Sequence, residues 1–207
     1  MERQTVHLYV CDTLADWEPG FAISGLNNPD MQTQPGRFRV QTVAARPEPV
    51  TTLGGMRILP DLTLDALAPS DSALLILPGA ETWDGDAHAA ALAKAKEFVA
   101  AGVPVAAICG ATVGLARAGL LDERRHTSND ARYLAATGYG GTALYEEQPA
   151  VCDGNVITAT TTAPVAFAYE IFKLLDVYPS AVLEEWYALF TTGDPAHFFA
   201  MMRAAAS

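Results

Sequence analysis

The feature that most constrains this chain is an apolar strand that ends on a cysteine and runs straight into a helical segment. VPVAAI at 103–108 reads as the strand, and CGATVGLARAGLL at 109–121 reads as the helix. Gly110 and Ala111 follow Cys109 directly, and larger side chains there would clash with the neighbouring strand and helix. The pattern predicts a nucleophile elbow, a strained strand-to-helix turn that projects one reactive side chain.

The predicted elbow points to chemistry at the sulfur of Cys109. A sulfur at the first turn of a helix lies near free backbone N–H groups and the positive end of the helix dipole, which favours thiolate over thiol. The amides of Gly110 and of Ala80, in the loop Pro78-Gly79-Ala80 after the preceding strand, are candidate donors to an oxyanion. The alternative is that Cys109 is a small buried hydrophobe, the commonest role of a free cysteine.

The segments around the elbow predict an α/β fold. An apolar strand at 73–78, a helix at 86–101 and the elbow strand follow one another, which is typical of a doubly wound, flavodoxin-like parallel sheet sandwiched by helices. Further strands are predicted at 5–10 and 37–44. A glycine pair between two short apolar runs at 50–59 predicts a small antiparallel hairpin.

The remaining segments extend the same alternation. Helices are predicted at 19–27, 129–137 and 163–175, and extended pieces at 142–145, 149–152 and 155–160. The segment 180–204 is predicted to be helical, with a break at Gly193-Asp194-Pro195. With 207 residues, half of them hydrophobic, we expect one domain over 1–207 in which 180–207 is a C-terminal helical extension.

Charge and hydropathy exclude several classes of partner. Thirteen basic residues against 24 acidic ones give a net charge of −11, which repels nucleic acid phosphates and anionic lipids. The first residues lack a signal-peptide pattern, and no stretch reaches the roughly 18 apolar residues that span a bilayer. We therefore expect a cytoplasmic protein that acts on a small molecule, without nucleic acid or membrane partners.

Cysteines and histidines are too scattered to predict a metal site. The three cysteines form neither a disulfide framework nor a CxxC pair, and the four histidines show no HxxxH or HExxH spacing. We expect no metal and no cofactor. Cys11, at the end of the first strand, and Cys152, in a late hairpin, are interpreted as structural rather than reactive.

Four segments, in this order and spacing, carry a family resemblance across residues 5–177. They are DTLADWE at 12–18, LILPGAETW at 75–83, VAAICGATVGLARAGLLDERRHTSND at 105–130 and DGNVITATTTAPVAFAYEIFKLL at 153–175. Together they resemble the ThiJ/PfpI superfamily, relatives of class I glutamine amidotransferases, and are most similar to the bacterial branch labelled glutamine amidotransferase-like or intracellular protease. The resemblance also implies a homodimer, for which the apolar run from Trp186 to Met202 is a candidate contact surface.

The resemblance implies roles for particular residues. In that family a glutamate after the first strand hydrogen-bonds the elbow cysteine, and Glu18 occupies this position, with Asp16 as the second candidate carboxylate. Glu18 could instead only stabilise a helix N-terminus. Protease-like members carry a histidine directly after the cysteine, where this chain has Gly110. Other members carry one at the position of Asn129, and His126 lies three residues upstream.

Two further residues have both a structural and a functional interpretation. Trp83, after the PGAET loop, either lines the cleft or packs in the core. Thr161 either caps the following helix or lines the site. Since no complete Cys-His-Asp/Glu triad is present, peptidase and glutaminase activity are disfavoured. The leading hypothesis is a cysteine-dependent hydrolase, lyase or hydratase for a small electrophile, of the glyoxalase or hydratase type that the resemblance implies. The alternatives are a stress-response redox sensor and a scaffold.

Overall fold

The computed structural model describes residues 3–206. Its strands are β1 (Gln4–Tyr9), β2 (Phe38–Ala44), β3 (Val50–Thr51), β4 (Arg57–Ile58), β5 (Leu62–Thr63), β6 (Leu74–Leu77), β7 (Val105–Ile108), β8 (Ala150–Asp153) and β9 (Val156–Ala159). Its helices are α1 (Trp17–Asn27), α2 (Ala89–Ala100), α3 (Gly110–Arg117), α4 (Ala131–Ala135), α5 (Pro164–Leu174), α6 (Ser180–Thr192) and α7 (Pro195–Ala205).

A seven-stranded sheet in the order β5-β2-β1-β6-β7-β9-β8 forms the centre of this range. Every neighbouring pair is parallel except β8 and β9, which are antiparallel. The predicted doubly wound α/β fold is therefore confirmed. Strand order reverses on either side of the β1–β6 pair, and in open α/β sheets the crevice at the carboxyl ends of such strands is where ligands bind.

The central strands have the composition that a doubly covered sheet requires. All residues of β6 and β7 are buried, which explains why LLIL and VAAI are uninterrupted apolar runs. Helix α1 contacts α5, and α2 contacts α3, as expected when helices cover both faces of the sheet. The chain leaves β6 and β7 at the same edge, which brings Gly79 close to Cys109.

Several predicted boundaries need correction. Helix α1 begins at Trp17 rather than at residue 19, because Asp16 occupies the N-cap and Pro19 is tolerated in the first turn. The helix predicted over 109–121 ends at Arg117, since the chain turns at Gly119 with a φ of 72°.

The segment 142–145 was predicted to be extended, and this prediction is wrong. Thr142–Leu144 forms a short 3-10 turn, closed by the N–H of Leu144 donating to the carbonyl of Gly141 at 2.8 Å. Tyr145 alone makes an isolated bridge, with His126. Among residues 3–206, no strand pairs with this segment along its length, and a 3-10 turn forms there instead of a β-ladder.

The hairpin and the C-terminal segment take the predicted forms. Strands β3 and β4 pair antiparallel in a separate two-stranded sheet. Helices α6 and α7 pack on each other and are separated at Gly193, whose φ of 72° ends α6. The ring of Trp186 in α6 packs nearly perpendicular to the rings of Phe21 and Phe172. None of the helices within residues 3–206 is long and apolar enough to cross a membrane.

Candidate active site

Cys109 is the junction between β7 and α3, and its backbone is strained. Its φ of 59° and ψ of −128° lie in a region of backbone conformation that residues other than glycine rarely adopt. Its N–H donates to the carbonyl of Ala159 at 3.0 Å, and its carbonyl accepts the hydroxyl of Thr112 at 2.6 Å. The neighbouring strand and helix thus hold the elbow in the strained conformation.

Glycines allow the groups around Cys109 to approach one another closely. A Cβ on Gly79 would lie 2.7 Å from Oε2 of Glu18, 2.9 Å from Cβ of Cys109 and 3.1 Å from its sulfur. A Cβ on Gly110 would lie 3.0 Å from Cδ1 of Trp83. Side chains at these two positions would displace the carboxyl, the sulfur or the indole, so the sequence must keep both positions small.

Glu18 is fully buried beside the elbow. Its Oε2 accepts the backbone N–H of Gly79 at 2.6 Å, and its Oε1 accepts the hydroxyl of Thr161 at 2.9 Å. Burial raises the pKa of the Glu18 carboxyl, while the hydrogen bonds with Gly79, Thr161 and Cys109 oppose the rise. Glu18 therefore holds a proton to higher pH than an exposed glutamate does.

Asn129 contacts the sulfur directly. Its Nδ2 donates to Sγ of Cys109 at 3.3 Å, and its Oδ1 accepts the N–H of Thr161 at 2.8 Å. The side chain therefore links the elbow to the loop that follows β9. A carboxamide does not titrate, so Asn129 can orient and stabilise the sulfur but cannot serve as a general base.

The thiol of Cys109 titrates differently from the expectation based on the helix N-terminus alone. Burial raises the pKa of the thiol, the amide of Asn129 lowers it, and negative charge on Glu18 raises it further. The sulfur is only partly accessible to water, so desolvation disfavours its charged form.

His126 does not face the sulfur. The ring is fully buried, its Nδ1 lies 2.7 Å from the carbonyl of Arg124 and its Nε2 lies 2.8 Å from the hydroxyl of Tyr139. Both ring nitrogens are thus engaged within the segment after the elbow helix, where the ring has a structural role. His126 is therefore not available as a base for the Cys109 sulfur in this arrangement.

Asp16 is likewise engaged elsewhere. Its Oδ2 accepts the N–H of Gly54 at 2.6 Å, in the turn of the β3–β4 hairpin. Burial raises the pKa of Asp16, but hydrogen bonds with the Thr52 side chain and with the Gly54 and Asp16 amides together lower it below its ordinary value. Asp16 therefore ties the hairpin to the start of α1, and Glu18 is the carboxylate at the sulfur.

The candidate oxyanion donors are not equivalent. The N–H of Gly79 is already bound to Glu18, and its carbonyl accepts the N–H of Ala15 at 2.9 Å. The next amide in the same loop belongs to Ala80, and Gly110 supplies the first amide of α3. The first N–H groups of a helix have no partner within the helix, so Gly110 and Ala80 remain the candidates for stabilising an oxyanion.

Sequence reasoning missed a tyrosine near the sulfur. The hydroxyl of Tyr133, on α4, donates to Oδ1 of Asp84 at 3.1 Å. Burial, then Asp84, and to a smaller extent charge on Cys109 raise the pKa of Tyr133 to about 12. No sequence signal pointed to it, because Asn129 precedes the extended N-cap residue Asp130 and so does not share a helix with Tyr133.

The site does not have the composition of a metal centre. Within the described part of the chain, no three histidine, cysteine, aspartate or glutamate side chains are grouped closely enough to hold an ion. The groups around the sulfur are an amide, a carboxyl and a hydroxyl, which can hydrogen-bond the thiol or a small organic substrate.

A strained elbow cysteine and a buried glutamate at the carboxyl ends of a parallel sheet define a class of α/β proteins. Residues 4–174 match the model of the DJ-1/PfpI family. The chain belongs to this family. The match covers the whole sheet and helices α1 to α5.

Curated relatives and solved structures agree with the family model. "Uncharacterized protease YoaZ" of Bacillus subtilis is 43% identical over 98% of both chains, and "Uncharacterized protease YdeA" of the same organism is 34% identical over 81% of both. The crystal structure of a thiJ/pfpI family protein from Bacillus anthracis has a TM-score of 0.89 and 42% identity, covering 98% of both chains. A DJ-1 superfamily protein from Agrobacterium tumefaciens has a TM-score of 0.81 and 30% identity, covering 92% of this chain and all of its own.

Proposed function

We propose that this protein is a cysteine-dependent enzyme in which Cys109 adds to the carbonyl carbon of a small electrophile and Glu18 transfers the proton. The observation that carries the proposal is the set of contacts at the sulfur. Asn129 donates to it, and a buried carboxyl, itself held by Gly79 and Thr161, lies beside it. Burial gives Glu18 a raised pKa, and a carboxyl that titrates closer to neutral pH is a better proton-transfer group.

The addition is balanced without an external reagent. The S–H proton of Cys109 passes to the Glu18 carboxylate while the sulfur forms a bond to the carbonyl carbon. The carbon–oxygen double bond becomes a single bond, and the resulting oxyanion is stabilised by the amides of Ala80 and Gly110. Glu18 then protonates that oxygen, which gives a hemithioacetal and restores the carboxylate.

The same contacts favour aldehyde chemistry over peptide hydrolysis. Cleaving an amide requires a general acid for the leaving nitrogen, commonly a histidine. The position that carries this histidine in related proteins is Asn129 here, and both ring nitrogens of His126 have other partners. Although two relatives carry the name protease, we therefore propose glyoxalase-type or hydratase-type chemistry ahead of peptidase activity.

The experiment compares Glu18→Gln with wild type, using methylglyoxal as the probe for carbonyl addition and iodoacetamide as the probe for the bare thiol. Glutamine retains the size of Glu18 and can bond both Gly79 and Thr161, but it cannot carry a proton. We expect consumption of methylglyoxal to fall by about 10²- to 10⁴-fold, while alkylation of Cys109 continues. Equal methylglyoxal rates in wild type, Glu18→Gln and Cys109→Ser would contradict the proposal.

A second candidate function is peroxide sensing by the same sulfur. The supporting observation is the Nδ2 of Asn129, a donor already aimed at Sγ, beside the hydroxyl of Thr161 and the carboxyl of Glu18. Such groups would stabilise the oxygens of a sulfinate. Two molecules of hydrogen peroxide each transfer one oxygen to the sulfur and leave as water.

Peptide mapping after graded peroxide tests this second candidate. It predicts that a mass gain of two oxygen atoms appears on Cys109 well before Cys11 or Cys152 is modified, and that Asn129→Ala shifts the product towards over-oxidised sulfonate. Oxidation of all three cysteines at similar rates would rule out a sensing role.

We further propose that the protein works as a cytoplasmic homodimer on a small molecule. Phe198, Phe199 and Met202 of α7 have exposed side chains, and these apolar groups support the tail as a contact surface. The net charge of −11 opposes nucleic acid binding. Light scattering at several concentrations distinguishes a dimer from a monomer, and Phe199→Asp is expected to favour the monomer.

A further inference from the structure

His88 is a buried titratable group that the proposed chemistry does not use. Only 3% of its surface is exposed, and it lies at the N-terminus of α2, away from the sulfur in sequence. Its Nδ1 lies 3.0 Å from the hydroxyl of Tyr9, and its Nε2 lies 2.8 Å from the hydroxyl of Thr82. Burial lowers the pKa of His88, and the neutral ring satisfies both contacts by accepting from one hydroxyl and donating to the other.

The ring also stacks on Trp83. The two ring centroids are 4.0 Å apart with an interplanar angle of 24°, and the Tyr9 ring meets both of them edge-on. Three segments that are distant in sequence thus meet here: the end of β1, the loop after β6 and the start of α2.

Trp83 connects His88 to the loop after β6 and to the elbow helix α3 through its own contacts. Its indole N–H donates to the carbonyl of Pro78 at 2.9 Å, which closes the loop 78–83 on itself. Its carbonyl accepts Nη1 of Arg117 at 2.8 Å, from the last turn of α3. The indole also lies against Gly110 and Gly114, where added Cβ atoms would be only 3.0 and 2.7 Å from it.

The loop 78–83 carries two groups that the site needs. The N–H of Gly79 donates to Glu18, and Ala80 supplies a candidate oxyanion amide. An amide that stabilises an oxyanion acts only when it is fixed in place, since a displacement of about 1 Å can cost about 100-fold in rate. Whatever fixes Thr82 and Trp83 therefore fixes the amides of residues 79 and 80 relative to the sulfur.

We infer that His88 is a positioning residue: through Thr82 and Trp83 it holds the loop 78–83 so that the Gly79 and Ala80 amides face Glu18 and the Cys109 sulfur. It contacts neither sulfur nor substrate. Its role in carbonyl addition rests on the proposed function, whereas its hold on the loop does not.

The test uses His88→Phe, which retains a ring against Trp83 but loses both hydrogen bonds. The matched control is His7→Phe. His7 is also a buried histidine, 2% exposed with Nδ1 2.9 Å from the hydroxyl of Ser72, but it lies in β1 on the amino-terminal side of Tyr9. Thr82→Val removes only one hydrogen bond from an exposed residue, and it replaces His88→Phe if that variant does not fold.

Hydrogen exchange and kinetics are measured on the same preparations. We expect amide exchange in the peptide 78–83 to accelerate about tenfold in His88→Phe, less in Thr82→Val, and not in His7→Phe. Methylglyoxal consumption should fall about 10- to 100-fold in His88→Phe, while iodoacetamide alkylation of Cys109 stays within about threefold, because alkylation needs no oxyanion donor.

The two readouts separate the two possible failures. If wild type does not consume methylglyoxal, the proposed function fails, and the exchange measurement still tests the hold of His88 on the loop. Wild-type exchange of 78–83 in both His88→Phe and Thr82→Val would overturn the inference. So would equal losses in addition and alkylation that His7→Phe reproduces, because a general loss of stability would then explain them.

Discussion

Cys109 directly follows β7, and Cys152 lies in β8, two strands away in the same sheet. Both thiols are partly buried, and burial raises the pKa of both. Their hydrogen bonds differ, although the Cys109 thiol also shares one with the Glu18 carboxyl. The sulfur of Cys109 accepts from Nδ2 of Asn129 at 3.3 Å, whereas the thiol of Cys152 donates weakly to the carbonyl of Gly154 at 3.9 Å. An accepted hydrogen bond stabilises the thiolate, and a donated one stabilises the thiol.

The two cysteines also differ in backbone conformation. Cys109 has a positive φ at a strand-to-helix turn, and Cys152 lies within the edge strand β8. Cys11, which follows β1, is more deeply buried than either, and burial raises its pKa to about 12. Cys11 and Cys109 both follow a strand, and we propose that Cys109 differs in reactivity because of its strained backbone, the donor to its sulfur and the neighbouring carboxyl.

The largest expected effect comes from removing each sulfur in turn. Cys109→Ser should abolish both methylglyoxal consumption and iodoacetamide alkylation at position 109, because the hydroxyl is a much weaker nucleophile without a base. Cys152→Ser should leave activity within about twofold of wild type, because Cys152 lies in an edge strand away from the elbow. Mass spectrometry of the adducts measures both, and loss of activity in Cys152→Ser would break the contrast between the two thiols.

The close approach at Gly79 gives the next effect. Gly79→Ala places a methyl group 2.7 Å from the Glu18 carboxyl and 2.9 Å from Cβ of Cys109, so we expect a loss of about 1–3 kcal/mol in the free energy of unfolding. Activity should fall with it. Gly20→Ala is the control, because its Cβ meets nothing within 4 Å and it lies in helix α1.

Denaturant titrations of both glycine variants provide the comparison. Gly20→Ala is expected to be neutral or to stabilise by about 0.5–1 kcal/mol, since alanine is the better helix former. If Gly79→Ala were as stable and as active as Gly20→Ala, the sulfur and the carboxyl would not be packed as closely as described.

The buried carboxyl should make stability depend on pH. The pKa of Glu18 is raised above its ordinary value of 4.5, so the folded protein holds a proton that the unfolded chain releases. Below pH 4.5 both states are protonated and Glu18 contributes no pH dependence. Above it the free energy of unfolding falls, by about 1.4 kcal/mol for each pH unit up to the folded pKa.

Glu18→Gln lacks this titration and serves as the reference. The difference in unfolding free energy between the variant and wild type should therefore increase in favour of the variant as pH rises above 4.5, while other groups cancel. Chemical denaturation between pH 4 and 8 measures it, and parallel curves would mean that Glu18 ionises as freely in the folded state as in the unfolded chain.

The smallest predicted effect tests the donor at the sulfur. The amide of Asn129 lowers the pKa of Cys109, so Asn129→Ala should raise that pKa and slow alkylation at neutral pH by about 3- to 10-fold. Asn129→Asp replaces the donor with negative charge and should slow it further. The alkylation rate of Cys152 in the same samples is the internal control, and an unchanged Cys109 rate in both variants would remove Asn129 from the account.

The parts predicted correctly from the sequence are those that depend on local patterns. The central strands are short apolar runs, and the small residues around Cys109 specify the elbow before any tertiary contact is known. The family resemblance placed Glu18 and Asn129 near the sulfur. It carried no information on burial, so the raised pKa of the thiol was not foreseen.

The parts that were missed depend on contacts between distant segments. Tyr9, Thr82 and His88 have no shared motif, and they meet only because β1, the loop after β6 and α2 converge. His126 had a suitable sequence position, but its ring hydrogen-bonds Arg124 and Tyr139. Side-chain direction and burial are properties of the assembled fold and not of sequence spacing.

The most direct test of the account is the rate of iodoacetamide alkylation at each cysteine of the native wild-type protein between pH 5 and 9. We predict that Cys109 reacts at least about tenfold faster than Cys152 throughout, and that Cys11 reacts only after unfolding. Similar rates at Cys109 and Cys152, or faster labelling of Cys152, would contradict the claim that the elbow and its neighbours make Cys109 the reactive centre.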